Sequence, residues 1–213
     1  MKHIARIALL ALAATAAAQA HAADNLFNTS PFTGSAADPA DGVRTVFAGQ
    51  QRSIATFDQA NDRFVFDLSK FNAGSWLSFA SASSAAPAAA GSNVIVLLDT
   101  DNDANATTPF GAGNAANLIA NMVNTDGAGF FIYSNSALGV NRLVYSTNLN
   151  LATADLSVLA RIESPTGAAA QAALAGFNAG NFVAAVPEPS SYALMAAGLA
   201  AVGGLARRRR PQN

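Results

Sequence analysis

Cysteine is absent from the 213 residues, and histidine occurs only at His3 and His21. Lysine is as scarce, with Lys2 and Lys70 alone. In an exported chain the lack of cysteine excludes disulfides, so the fold must rest on a packed core or on bound metal. Both histidines fall within an N-terminal leader, which leaves the working protein with neither His nor Cys. That double absence excludes a Ser-His-Asp triad, a Cys-His nucleophile, His-ligated zinc or iron, and thioether-linked haem.

The leader itself is read from three parts. Lys2 and Arg6 form a basic start, Ile7 to Ala18 is apolar, and Ala20-His21-Ala22 supplies the small-x-small pattern that signal peptidase reads. Residues 1–22 are therefore expected to be a secretory signal peptide, cleaved after Ala22.

Residues 186–210 carry a second set of signals. Val186, Pro187, Glu188 and Pro189 precede an uncharged stretch, and Arg207, Arg208, Arg209 and Arg210 follow it. The prolines lack backbone N–H groups and hold Glu188 in an extended, helix-free segment open to a processing enzyme. Tyr192 to Ala206, 15 residues, rises about 22 Å as a helix, short of a hydrocarbon core of about 30 Å. Counting Ser190 and Ser191 and letting the arginine stems snorkel brings the span 190–206 near the lower limit. Its weak apolarity suits a temporary anchor. The four arginines stay on the cytoplasmic side, so everything before them lies outside.

In this order of elements the segment resembles the PEP-CTERM sorting signal of bacterial envelope proteins. The resemblance covers about 25 residues and implies recognition by an exosortase, a membrane-embedded cysteine transpeptidase or protease, with cleavage near the motif. It also implies transient insertion in the inner membrane, then the outer surface or extracellular matrix of a Gram-negative bacterium that makes exopolysaccharide.

Without these terminal signals the charge balance changes. Six basic residues remain (Arg44, Arg52, Arg63, Lys70, Arg142 and Arg161) against twelve acidic ones, a net charge near −6. Such a surface is a poor partner for nucleic acid. It favours solubility and cation binding instead.

Between the signals, residues 23–42 are rich in Asn, Ser, Pro and Gly and read as an irregular lead-in. Residues 43–165 read as a β-rich exported domain. Strands are expected over Val43–Ala48, Ser53–Asp58, Arg63–Leu68 and Trp76–Ala80, with Phe64 and Phe66 sharing one face of a half-buried strand. Ser81–Ser92 is low-complexity and reads as a surface loop. Asn93–Asp99, NVIVLLD, suits a central strand covered on both faces. Asn114–Val123 is the one clear helix, with Asn114 as its cap and Leu118, Ile119, Met122 and Val123 on one stripe. Gly129–Ser134, Asn141–Thr147 and Leu156–Ile162 read as three successive strands of a meander. Residues 166–185 are Ala/Gly-rich and read as a stalk to the sorting segment, with Thr166–Ala179 either a short helix or a tether and Asn181–Val186 either a last strand or part of the stalk. The expected fold is mainly β, a sandwich or an open antiparallel sheet with one packed helix. A true α/β arrangement is the alternative.

Three constellations have chemical meaning. Asp99, Asp101, Asp103 and Asn105 alternate in a turn after a strand and could converge on Ca²⁺ through oxygen ligands. The loop departs from an EF-hand, with Ala104 in place of its glycine and Phe110 in place of its bidentate Glu. A different calcium loop and a plain Asp/Asn turn held by its own side chains both fit. Second, Asp58, Asp62, Asp67, Asp126 and Asp155 are the acids available for carboxylate catalysis, the one enzymatic route left open. Third, Trp76, Phe79, Phe130, Phe131 and Tyr133 are either a glycan-stacking platform or sheet packing. The glycine-rich Gly111–Asn117 lacks the Gly-Lys-Ser/Thr ending of a phosphate loop. The resulting expectation is a non-enzymatic surface or biofilm-matrix protein associated with exopolysaccharide. A small carboxylate-dependent polysaccharide-processing enzyme is the alternative.

Overall fold

The computed structural model describes residues 22–35, 42–124 and 126–185. Ten strands, two short helices and three single 3-10 turns make up the body. In chain order the strands are β1 (Asp24–Phe27), β2 (Val46–Phe47), β3 (Arg52–Ile54), β4 (Arg63–Phe66) and β5 (Phe79–Ala82). β6 (Val94–Leu97), β7 (Gly129–Asn135), β8 (Val140–Ser146), β9 (Leu156–Ile162) and β10 (Phe182–Ala184) follow. Helix α1 is Ala112–Met122 and α2 is Ala168–Ala173.

The large sheet runs β2-β9-β8-β7-β6-β5, with β3 also paired to β9. The small sheet runs β1-β4-β10. Side chains alternate along the central strands, and both faces of the large sheet are buried. Val94, Val96, Phe130, Ile132, Leu143 and Tyr145 face the small sheet and meet Phe64 and Phe66 there. Ile95, Leu97, Phe131, Tyr133, Val144 and Val158 point the other way, toward α1. The result is three layers, small sheet on large sheet on helix. VIVL in β6 is fully buried throughout, as an apolar strand covered on both sides should be.

The expected sandwich with a packed helix is found, but its sheets are not antiparallel. Only β7–β8 and β8–β9 pair antiparallel, the meander read from residues 129–162. β5–β6, β6–β7, β2–β9, β3–β9 and both pairs of the small sheet are parallel. Parallel neighbours need crossover connections rather than hairpins. Helix α1 supplies the crossover from β6 to β7, and residues 83–93 cross from β5 to β6 without a helix. In β9 an extra residue, Leu159, stands between the pairings Val144↔Val158 and Leu143↔Ala160. This bulge turns both Leu159 and Ala160 toward the small sheet.

Helix α1 starts two residues earlier than its polar signal suggests. Gly111 is the N-cap, and Asn114, expected as the cap, sits at the third helical position and accepts the Gly111 amide at 3.2 Å. Its buried stripe is Ala112, Ala115, Ala116, Ile119 and Met122, while Leu118 is only half-buried. Small alanines let the helix lie close on the sheet.

Two segments expected to be irregular belong to the body. In the lead-in 23–42, β1 pairs with β4 from Asp24↔Arg63 to Phe27↔Phe66. The supposed stalk 166–185 folds back as α2, two 3-10 turns and β10, which pairs with β4. Ala170, Leu174, Phe177 and Phe182 are buried. The physical reason is the spacing of these apolar residues among alanines, which makes the segment a lid on the phenylalanine core. Phe182 packs on Phe64, Phe79 and Phe177, with centroids 5.6, 5.6 and 6.3 Å away. Phe182→Ala should therefore destabilise the protein by about 3–5 kcal/mol, and lower Tm by roughly 6–20 °C. Thermal unfolding followed by circular dichroism measures this, and a stalk residue would leave Tm unchanged.

Candidate functional site

Several residues singled out in the sequence lie outside the described residues: Ala20, the motif Val186 to Pro189, the span 190–206 and Arg207 to Arg210. Among the described residues no helix is long and apolar enough to cross a membrane. Ala22 is described and exposed. Ala185 still donates its amide to the Phe66 carbonyl at 2.7 Å. The hydrogen-bonded body thus continues to the residue directly before Val186.

The Asp-rich turn is a chain of local hydrogen bonds. Asp101 Oδ1 accepts the Asp103 amide at 3.0 Å, and Asp103 Oδ1 accepts the Asn105 amide at 2.9 Å. Asn105 Oδ1 accepts the amide and hydroxyl of Thr107. Each side chain thus closes a turn on the residue two positions ahead. Asp99 is drawn away to the amide and hydroxyl of Ser84. Ala104, where an EF-hand has glycine, adopts φ +57°. Among the described residues no three His, Cys, Asp or Glu side chains gather as a metal would require.

The other acids are also engaged with the backbone or with close side chains. Asp155 is buried and accepts the Thr45 amide at 2.6 Å. Beside it, Arg44 donates to the carbonyls of Ala152, Ala154 and Gly113 and to Asn117 Oδ1, tying α1 to the β8–β9 connection. Burial lowers the Arg44 pKa, and the Asp155 carboxylate pushes it back up. Asp67 caps the turn Leu68–Lys70 through Ser69. Asp58 accepts from the Asn61 side chain and the Ala60 amide, which hold its carboxyl below the usual range. Asp62 is buried and accepts two backbone amides.

The aromatic candidates separate into two groups. Phe130, Phe131 and Tyr133 are fully buried, and Phe79 packs on the core beside Phe182. These four are sheet packing. Trp76, the chain's one tryptophan, is 58 % exposed. It borders an open cleft of about 210 Å³ shared with Asn72, Gly74, Gly91, Asp126 and Gly127.

The cleft is built by the loop before β5 and the turn before β7. Asn93, buried at the start of β6, pins the Trp76 loop. Its Nδ2 donates to the carbonyls of Ala73 and Trp76 at 3.2 and 2.9 Å, and its Oδ1 accepts the Ser78 amide at 2.7 Å. Asn72 takes φ +48° and Gly74 φ +81°, so the chain turns sharply into the loop. The indole lies over Gly91, where a Cβ would come within 4.0 Å of the ring. On the facing side Asp126 Oδ1 accepts from Asn150 Nδ2 at 3.1 Å, with Oδ2 making no hydrogen bond to the described residues. Asp126 is the only charged residue among the described residues of the lining. Sequence reasoning named both Trp76 and Asp126 but in separate groups, because their meeting depends on the β5–β6–β7 parallel order.

The titrating groups predict a stability profile. Arg161 and Ser53 hold Glu163 below the usual carboxylate range, and the Asp103 amide does the same for Asp101. Depressed folded values for Asp58, Asp101 and Glu163 contribute stability above the ordinary carboxylate range, which is lost as pH falls through the folded values. Burial pushes the Tyr145 phenol up to about 12. That contribution is complete below the ordinary tyrosine value near 10 and is lost as pH rises toward the folded one. Residues 23–185 contain no His or Cys to titrate between these limits. Tm measured across pH should hold level from about pH 5 to 7, decline below about pH 4, and decline again as pH rises through the α-amino and then the tyrosine range, from about 8 to above 10. A transition near pH 6 would contradict this assignment.

Comparison with curated proteins gave no match, and neither did comparison with solved structures. One family model does match, the PEP-CTERM protein-sorting motif, over residues 185–210. The match starts at Ala185, whose amide is hydrogen-bonded to Phe66 of β4, and covers the Pro-Glu-Pro signature, the apolar stretch and the four arginines. The chain thus carries a PEP-CTERM protein-sorting motif, which marks it for exosortase processing and export to the cell surface.

Proposed function

We propose that this protein is a non-enzymatic component of the outer cell surface or extracellular matrix, which grips exopolysaccharide through the Trp76 cleft. The observation that carries the reading is the solvent-facing indole of Trp76, with a carboxylate and amide groups around it. A pyranose ring presents C–H bonds of slight positive charge on one face, which pack against the negative face of an indole. Its hydroxyls donate to Asp126 and exchange hydrogen bonds with Asn72. The cleft is open and shallow, suited to one sugar unit of a long chain gripped from the side rather than enclosed.

Charge narrows the glycan class. With Asp126 the only ionic group among the described residues of the lining and an acidic domain around it, polyuronates and sulfated chains are repelled. Neutral glycans are favoured. The same lining argues for binding over hydrolysis, since glycoside cleavage requires two carboxyl groups flanking one bond and this cleft supplies one. Export proceeds through signal peptidase at residues 1–22, transient insertion of 190–206 in the inner membrane and exosortase action at Val186 to Pro189.

Because Trp76 is the one tryptophan, intrinsic fluorescence reports this cleft without interference. Titration with cello-, laminari- and malto-oligosaccharides should shift the emission for at least one neutral series, and oligouronates should leave it unchanged. Trp76→Ala should abolish retardation in gels containing the active polysaccharide, and Trp76→Phe should retain part of it. No response to any neutral series would overturn the glycan assignment. Mass spectrometry of the protein from its own cells should find a mature chain without Arg207 to Arg210. An intact arginine block would contradict processing.

A further inference from the structure

The residue before β1 is already held in place. The Ala23 amide donates to Asp62 Oδ1 at 2.8 Å, and the Arg63 amide donates to the Ala23 carbonyl at 2.9 Å. Asp62 is only 7 % exposed. Its Oδ2 accepts the Asp58 amide at 2.9 Å, and its backbone carbonyl accepts from Asn181 Nδ2 at 2.8 Å. Two ion pairs occur among the described residues, Arg63–Asp24 and Arg161–Glu163, and Asp62 belongs to neither. A carboxylate this enclosed and held by neutral amides lacks the counter-charge that buried acids ordinarily have.

The leader boundary read from the sequence falls between Ala22 and Ala23. Hydrolysis there adds one water across the peptide bond. The Ala22 carbonyl leaves with the leader as a carboxylate, and the Ala23 nitrogen becomes a primary amine that takes up a proton at neutral pH. We propose that Asp62 is the docking site for this new α-ammonium group, so that removal of the leader turns a neutral N–H donor into one half of a part-buried ion pair with the buried Asp62 carboxylate. The pair locks β1 onto β4 at the moment of release. Hydrogen bonds to charged groups are worth more than those between neutral ones, so the processed chain is more stable than its precursor.

The position is specific to one residue. A chain starting at Ala22 or at Asp24 carries its ammonium about 3.3 Å further along the strand direction, out of contact with Asp62 Oδ1. Residues Asp24 and Arg63 pair with each other across the same strands, so neither competes for the site.

This inference rests on the export reading, and the experiment separates the two. N-terminal sequencing of the mature protein should give Ala23 as the first residue, and any other first residue overturns the docking. Three forms of the mature protein are then melted: free Ala23, the same chain acetylated at its α-amino group, and a chain retaining Ala22. Acetylation keeps an N–H donor but removes the charge. The acetylated and Ala22 forms should melt roughly 3–10 °C lower than the free form. In Asp62→Asn the difference should vanish. Equal melting temperatures for the free and acetylated forms, or the same loss in Asp62→Asn, overturn the ion pair while leaving export intact. If Asp62→Asn fails to fold, the acetylated and free forms of the natural sequence decide alone.

Discussion

Strand β4 carries much of this structure. All four of its residues pair with β1 on one side and three of them with β10 on the other, both in parallel, so segments from the two ends of the described chain flank one strand. Phe64 and Phe66 are fully buried. Phe64 stacks on Phe57 at 4.3 Å, and Phe66 meets Phe130 of the large sheet at 4.1 Å. With no disulfide available, the layer of phenylalanines between the two sheets holds the parts together. Apolar burial of that kind and edge or offset contacts between rings supply the attraction. The small sheet cannot form until β1 and β10 have both arrived, which makes closure of the fold a long-range event.

That arrangement places the expected leader boundary and the PEP-CTERM motif in a physical relation to the body. β1 begins directly after Ala23, and Ala185, the first residue matched by the sorting motif, is hydrogen-bonded to Phe66. Because the strands run parallel, the two attachment points lie at opposite ends of β4. Removal of the terminal segments leaves the sheet complete and takes away half of the basic residues of the chain. An acidic surface with short attachments is the form in which the Trp76 cleft would meet its ligand.

Much of the fold was legible in local patterns. The apolar run of β6, the alternation of Phe64 and Phe66 and the meander of β7 to β9 follow from side-chain periodicity, which is a local property. Two segments carry a weak strand signal in the sequence for a shared reason. β1 and the segment from α2 to β10 contain few apolar residues among many small or polar ones, so neither carries enough periodic signal by itself. Their strand character comes from β4, which offers them hydrogen bonds and a phenylalanine surface. The parallel pairing was illegible for the same reason, since strand order across crossovers depends on packing between distant residues. In the candidate site the Asp-rich sequence fits both an Asx turn and a calcium loop, and the directions of its side chains come only from the tertiary structure. Asp99 points to Ser84, and the others cap their own turn.

The amino-acid order alone determined the C-terminal sorting motif, the absence of His and Cys from residues 23–185, the acidic balance of that region and the strands whose apolar residues repeat with period two. These are properties of neighbours along the chain and need no contact at a distance. Only the tertiary structure decided that sequence ends and middle share one small sheet, that four of five candidate aromatics are interior, and that Trp76 and Asp126 border one cleft. Each of those outcomes depends on which strands lie next to one another. That adjacency is set by how two sheets and a helix bury their apolar faces together.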